Sequence, residues 1–170
     1  PVHHSLATLL GDGTRPGDMF LFASVGNFAQ RHWSGRLRCT DGTSHEWAER
    51  QTDNRIVPWG KHAVTIELYG RCEVPLELLV VERGGGRIVA REPVSLRSSP
   101  RVPWSQGAVT FEPREGTDYA LRLRRRAPGG EGRDDRFHVV ALGGFLEHTT
   151  PWGSIVFPAD GASVVGIGAA

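Results

Sequence analysis

The residue types of acyl transfer stand together at one place in this chain, where Ser44, His45 and Glu46 follow Gly42-Thr43. A hydroxyl, an imidazole and a carboxylate form a proton relay only if all three reach one point. Consecutive residues of an extended chain send their side chains to alternate faces, so these three do not line up. Cys39 and Cys72 are too few for a zinc site by themselves and are not spaced as C-x-x-C. They fit one disulfide in an oxidising compartment, or two buried thiols. Adding His32 and His45 gives a Cys/His set whose spacing matches no zinc finger. His32, His45, His62 and His138 also lack the paired spacing of a metal site. Trp33, Trp47, Trp59 and Trp104 raise the question of a sugar-binding face, which needs exposed and roughly coplanar rings; core packing is the commoner role. Arg122 and Arg124 alternate with Leu121 and Leu123, the pattern of a strand with one wet face. Asp134 and Asp135 follow closely and no stacking platform is evident, which disfavours nucleic acid.

These residues must be positioned by a chain of 170 residues, enough for one good core or for one and a piece of another. Its 22 glycines and 11 prolines cut it into short segments, which favours strands and turns over a helical bundle. A net charge of +1 gives no electrostatic reason to expect nucleic acid or an anionic membrane. No apolar run approaches the ~20 residues of a membrane helix. The opening Pro1-Val2-His3-His4 does not read as a signal peptide.

Three parts are expected. In residues 1–30, Leu6, Leu9 and Leu10 lie at helical spacing and Gly11-Asp12-Gly13 stops the run. Met19 to Ala23 is then unbroken apolar sequence, as in a parallel strand buried on both faces, with strand structure expected over 19–25. Residues 31–149 read as an antiparallel β-sandwich. Val64–Tyr69 and Tyr119–Arg124 alternate, Leu76–Val81 and Arg87–Ala90 flank a Gly84-Gly85-Gly86 turn, and Phe137–Leu142 closes the series. Residues 150–170 return to the first style, with a second buried parallel strand expected over 163–169. An α/β opening, an all-β middle and an α/β ending suggest one domain inserted into a loop of another. The expected class is therefore mainly β.

The stretch Phe22-Ala23-Ser24-Val25-Gly26-Asn27-Phe28-Ala29 resembles the segment of subtilisin-like serine proteases around the oxyanion-hole asparagine, usually A-A-G-N after an apolar strand. The stretch from Phe157-Pro158-Ala159 to Val164-Val165-Gly166-Ile167-Gly168-Ala169 is similar to the family's next strand, where a Y-P-A turn leads to V-I-x-V-G-A. Some members carry a β-sandwich between these segments, and Gln30-Arg31-His32-Trp33-Ser34-Gly35 looks like its entry. The resemblance implies a jelly-roll-like insertion flanked by short α/β pieces of a subtilase parallel-sheet domain. By the same resemblance Asn27 is the oxyanion-hole donor. Ser24, Val25 and Gly26 form one wall of the substrate pocket, and Val156 lies at its floor, alternatively as a plain buried strand residue.

The departures from the family are as definite. The D-T/S-G and H-G-T-H motifs are missing, G-T-S-M-A would fall beyond Ala170, and Gly42-Thr43-Ser44 precedes His45-Glu46-Trp47 rather than a small-residue helix. The chain is thus expected to be inactive alone. Its parent would be a secreted endopeptidase with a polypeptide substrate, and its partner the remainder of the protease domain. No nucleic acid, membrane, metal or cofactor is expected from these residues; calcium in the parent is left open by the family. The alternative is a non-catalytic β-sandwich module binding protein or carbohydrate, with flanks that only mimic subtilase strands.

Overall fold

A computed structural model describes residues 2–168 except 13, 25, 27, 99–102, 127–134, 152–153 and 156–158. Helix α1 spans Val2–Leu10 and ends where Gly11 takes a positive φ, its N–H bonded to the Ala7 carbonyl at 3.1 Å. Strand β1, Leu21–Ser24, pairs in parallel with β12, Val164–Ile167, setting Leu21 opposite Val164 and Ser24 opposite Ile167. These two strands form a sheet of their own.

Between them the chain builds β2 (His32–Arg36), β3 (Asn54–Pro58), β4 (Val64–Arg71), β5 (Leu76–Glu82), β6 (Ile88–Pro93), β7 (Ser95–Ser98), β8 (Pro103–Phe111), β9 (Tyr119–Arg125), β10 (Arg136–Leu142) and β11 (Gly144–Leu146). One antiparallel sheet has the order β2-β10-β4-β8-β7 and the other β11-β3-β9-β5-β6, so the chain changes sheet at most of its turns. Strand alternation supplies the core between them. Val64, Ile66 and Leu68 of β4, and Phe137, Val139 and Ala141 of β10, meet Leu76, Leu78 and Val80 of β5 and Leu121 and Leu123 of β9 in one buried cluster. At ~25 cal/mol per Å² of apolar surface, each such Leu or Phe contributes about 1.5–3 kcal/mol.

Strand β5 is buried on both faces. Leu79 and Val81 pack on its outer side with Ala120, and Leu79 is flanked across the ladders by Arg122 and Arg91, whose aliphatic stems suit that face. Arg122 forks onto Asp53, and Arg124 reaches Glu77 at 2.9 Å. The basic run is thus the outer face of a strand held by carboxylates.

The expectation for the flanking strands is corrected. The flanking strands are shorter than 19–25 and 163–169, and they are not buried: Phe20 is 74% exposed, Phe22 61% and Ile167 56%. A parallel strand is covered when helices and further strands pack on it, and the described residues place none on these faces. Cys39 and Cys72 are two buried thiols, not joined in a disulfide, with burial pushing the Cys72 thiol up to about 12, so they act as core residues.

Candidate functional site

Two of the residues singled out by sequence fall at the C-terminal end of β1. Ser24 ends the strand, and its hydroxyl accepts the Gly26 N–H at 3.2 Å. Gly26 then takes φ +74°, a left-handed conformation that side chains resist, which is the physical reason for glycine here. Both residues are exposed. Val25, Asn27 and Val156 lie outside the described residues.

The segment between β1 and β2 is anchored to the sandwich. Arg31 donates its N–H to the Phe28 carbonyl at 2.9 Å, closing a turn. The Gln30 carbonyl accepts from Leu146 at 3.0 Å and the Arg31 carbonyl from Ala141 at 2.8 Å. The Arg31 guanidinium lies 4.3 Å from the Phe28 ring centre and 5.0 Å from that of Trp59, and Trp59 meets Phe145 edge-on at 5.2 Å. Cation–ring contacts at such half-exposed sites contribute about 0.5–1 kcal/mol each.

The outgoing segment runs beside the incoming one. Thr150 donates its N–H to the His32 carbonyl at 3.0 Å, and its hydroxyl accepts the Ser34 N–H at 2.6 Å. Asn54 holds the same segment with its side-chain amide, giving to the His148 carbonyl and accepting from the His148 N–H, each at 2.9 Å. Entry and exit of the sandwich are therefore stitched together.

Beside that stitch His32 Nε2 lies 3.0 Å from His138 Nδ1, and the His138 ring stacks on Tyr69 at 4.9 Å. Burial lowers both imidazoles, and the neighbouring His32 lowers His138 further. Tyr69 is raised by burial, then by the charges of Glu67 and Asp160.

The Ser44-His45-Glu46 trio goes to three places. Ser44 donates its N–H to Asp41 at 2.6 Å, Glu46 accepts the Thr40 hydroxyl, and His45 is fully buried against Trp33, Trp47 and Phe137. Burial pulls His45 down to about 3, so it is neutral and belongs to the core. Trp33 and Trp47 are packed edge to face in that cluster, 7% and 5% exposed, and offer no ring face for a sugar. An open groove of about 540 Å³ does border them, walled by Arg36, Arg38, Glu46 and Glu49. Among the described residues no three His, Cys, Asp or Glu side chains gather as metal ligands.

Sequence reasoning did not single out Arg31, Trp59, Phe145 or Thr150 as partners. Their contacts join positions far apart along the chain, which no local spacing records.

No family model matches the sequence, and no curated protein matches it. The fold is similar to that of the Clostridium perfringens CspB protease, a subtilisin-like protease, with a TM-score of 0.61 at 10% identity. The similarity covers 97% of this chain and 36% of the protease, so this chain spans about a third of that protein's length. At this identity the likeness is one of fold. No helix among the described residues is long and apolar enough to cross a membrane.

Proposed function

We propose that this chain is the oxyanion-hole region of a subtilisin-like serine endopeptidase, interrupted by a jelly-roll-like β-sandwich. The observation that carries the reading is the parallel β1–β12 pair: the two strands that resemble neighbouring subtilase strands are hydrogen-bonded to each other, outside both sandwich sheets. Two further observations support it. Entry and exit of the sandwich run side by side, as an insertion into one loop requires. The likeness to the CspB protease takes in 97% of the chain, flanks and sandwich together.

In this reading residues 1–30 and 150–170 belong to the α/β protease domain and residues 31–149 to the insertion. The chemistry is that of acyl transfer. Attack on a peptide carbonyl creates an oxyanion, and a donor already in place around that oxygen lowers the barrier without reorganisation. Asn27, just past the Ser24–Gly26 turn, supplies a neutral amide N–H for that purpose. Ser24, Val25 and Gly26 form one wall of the pocket for the side chain before the scissile bond, with Val156 at its floor. The nucleophile, base and orienting carboxylate come from elsewhere in a longer polypeptide, which is secreted in keeping with the family. An oxyanion donor without them has nothing to stabilise, so the isolated chain is inert.

The test is to express the longer open reading frame that contains this chain, beside the chain alone. The longer protein is expected to react with an active-site serine phosphonate and to cleave a peptide amide, the short one to do neither. A longer protein that does neither defeats the proposal.

A further inference from the structure

We propose that the outer face of β2, β10 and β4 is a docking surface for an acidic stretch of polypeptide, seated on a row of three arginines. Arg36 of β2, Arg136 of β10 and Arg71 of β4 stand directly opposite one another across the two ladders. All three are exposed, while their chain neighbours Leu37, Phe137 and Cys72 are buried, so the three side chains share the outer face. With strands ~4.8 Å apart, the row is about 10 Å long. Like charges directly opposite each other destabilise a sheet. Among the described residues none of the three arginines has an ion pair or a side-chain hydrogen bond. The other sheet resolves the same conflict within the chain. There Arg124 stands opposite Glu77 and reaches it at 2.9 Å, and Arg122 forks onto Asp53. Register sets arginine against carboxylate on one sheet and arginine against arginine on the other, and a bound partner supplies the counter-charge that the row lacks.

The chemistry and the size of the row select the partner. A guanidinium fork takes a carboxylate through two parallel N–H donors. Carboxylates two residues apart on an extended segment stand ~7 Å apart, so two of them fit along the row, each between neighbouring arginines. A long polyanion fits less well. Glu67, on the same face of β4, and Glu73, just past its end, are both exposed and put negative charge on either side of the row. At its Arg36 end the row meets the groove of about 540 Å³, where Arg38 adds a cation and Glu46 and Glu49 add two carboxylates. Tyr69, the ring nearest the row on β4, already lies flat against His138 at 4.9 Å. Positive charge is thus confined to a short strip, which suits a short acidic segment.

The test is binding of a labelled peptide of alternating glutamate and serine, followed by fluorescence anisotropy at low and physiological salt. The chain is expected to bind it, more weakly as salt rises, and not to bind the same peptide with glutamine for glutamate. Arg36→Gln, Arg71→Gln and Arg136→Gln are each expected to weaken binding about two- to fivefold, and the triple variant more than tenfold. Urea unfolding is expected to show the triple variant no less stable than the parent, since it removes repulsion; a loss of stability would make the row structural and overturn the inference. Arg15→Gln, Arg83→Gln and Arg126→Gln together remove the same charge elsewhere and are expected to leave binding nearly unchanged. Equal loss in that control, no binding by the parent chain, or unaltered binding by the triple variant each overturns the proposal. Tighter binding of a short oligothymidylate or of an oligogalacturonate would assign the row to another class of polyanion and overturn it too. Should the triple variant not fold, Arg136→Gln, at the centre of the row, decides.

Discussion

His32 Nε2 lies 3.0 Å from His138 Nδ1, and His32 Nδ1 lies 3.4 Å from the Thr150 carbonyl. One arrangement of protons satisfies all three groups. His32 gives its Nδ1–H to Thr150 and accepts at Nε2 from His138 Nδ1–H, so both rings are neutral. Burial holds both rings below the ordinary histidine value of 6.5, and the charge of a protonated His32 lowers His138 further. Replacing His32 with Gln removes the neighbouring imidazolium, so His138 is expected to titrate at higher pH. An NMR titration of the His138 ring carbons checks this, and an unchanged or lower midpoint refutes the coupling.

The second prediction concerns His45, which is held neutral by burial with its ionisation lowered to about 3 against 6.5 in the unfolded chain. The unfolded state thus binds more protons between those values. The stability associated with neutral His45 is complete above 6.5, declines as pH falls, and is fully lost only below about 3. At 1.36 kcal/mol per unit the upper bound is about 4–5 kcal/mol. His45→Phe keeps a ring among Trp33, Trp47 and Phe137 but loses the bond between Nδ1 and the Arg38 N–H, 3.1 Å in length. It is expected to be about 1 kcal/mol less stable at pH 7.5, with a flatter dependence down to pH 4. Urea unfolding at several pH values reads both effects, and parallel curves for the two proteins would refute the assignment.

The third prediction concerns the exposed faces of β1 and β12. Phe20, just before β1, and Phe22, Val165 and Ile167 on the two-stranded parallel sheet are each between 45% and 74% exposed, and no further strand among the described residues pairs with that sheet. Such a surface pairs with other chains. The isolated chain is expected to self-associate with rising concentration, and Phe20→Ser with Phe22→Ser to reduce this while sandwich unfolding stays unchanged. Sedimentation velocity measures the first and urea unfolding the second. A monomer at all concentrations would mean that these faces are covered within the chain.

Strands β4, β9 and β10 were legible because their inward positions are large and apolar at period two, as with Val64, Ile66 and Leu68. Strand β8 escaped that test although it is nine residues long. Its inward positions include Ser105, which gives its hydroxyl to the Cys72 carbonyl, and Gly107, where a Cβ would stand 3.3 Å from Val94 and 3.5 Å from Leu78. Close packing at that spot requires the small residue that hides the strand. In β3 the buried Asn54 serves as a backbone mimic for His148 and reads as a turn former. Ser24 and Gly26 were singled out as site residues only through the resemblance to a family segment. The Arg31–Trp59 bridge was invisible, since it depends on how the β3–β4 loop meets the approach segment.

The last prediction follows from the proposed function and concerns Asn27 in the longer polypeptide. Asn27→Ala is expected to lower kcat by roughly 10²–10³-fold, about 3–4 kcal/mol of transition-state stabilisation, a magnitude carried over from subtilisin itself. KM should change little, because the amide acts on charge that exists in the transition state and not in the bound substrate. Folding should be nearly untouched, as expected of a donor that serves a cleft and not the core. Val25 provides the contrast: substitutions there should shift which side chain is preferred before the scissile bond, with smaller effects on the best substrate. Steady-state kinetics on a panel of peptides separates the two residues, and thermal unfolding reports the fold. If Asn27→Ala unfolds the protein, or keeps kcat within about threefold of the parent, which is under 1 kcal/mol, then Asn27 is a strand-end turn former and its assignment as oxyanion donor is wrong.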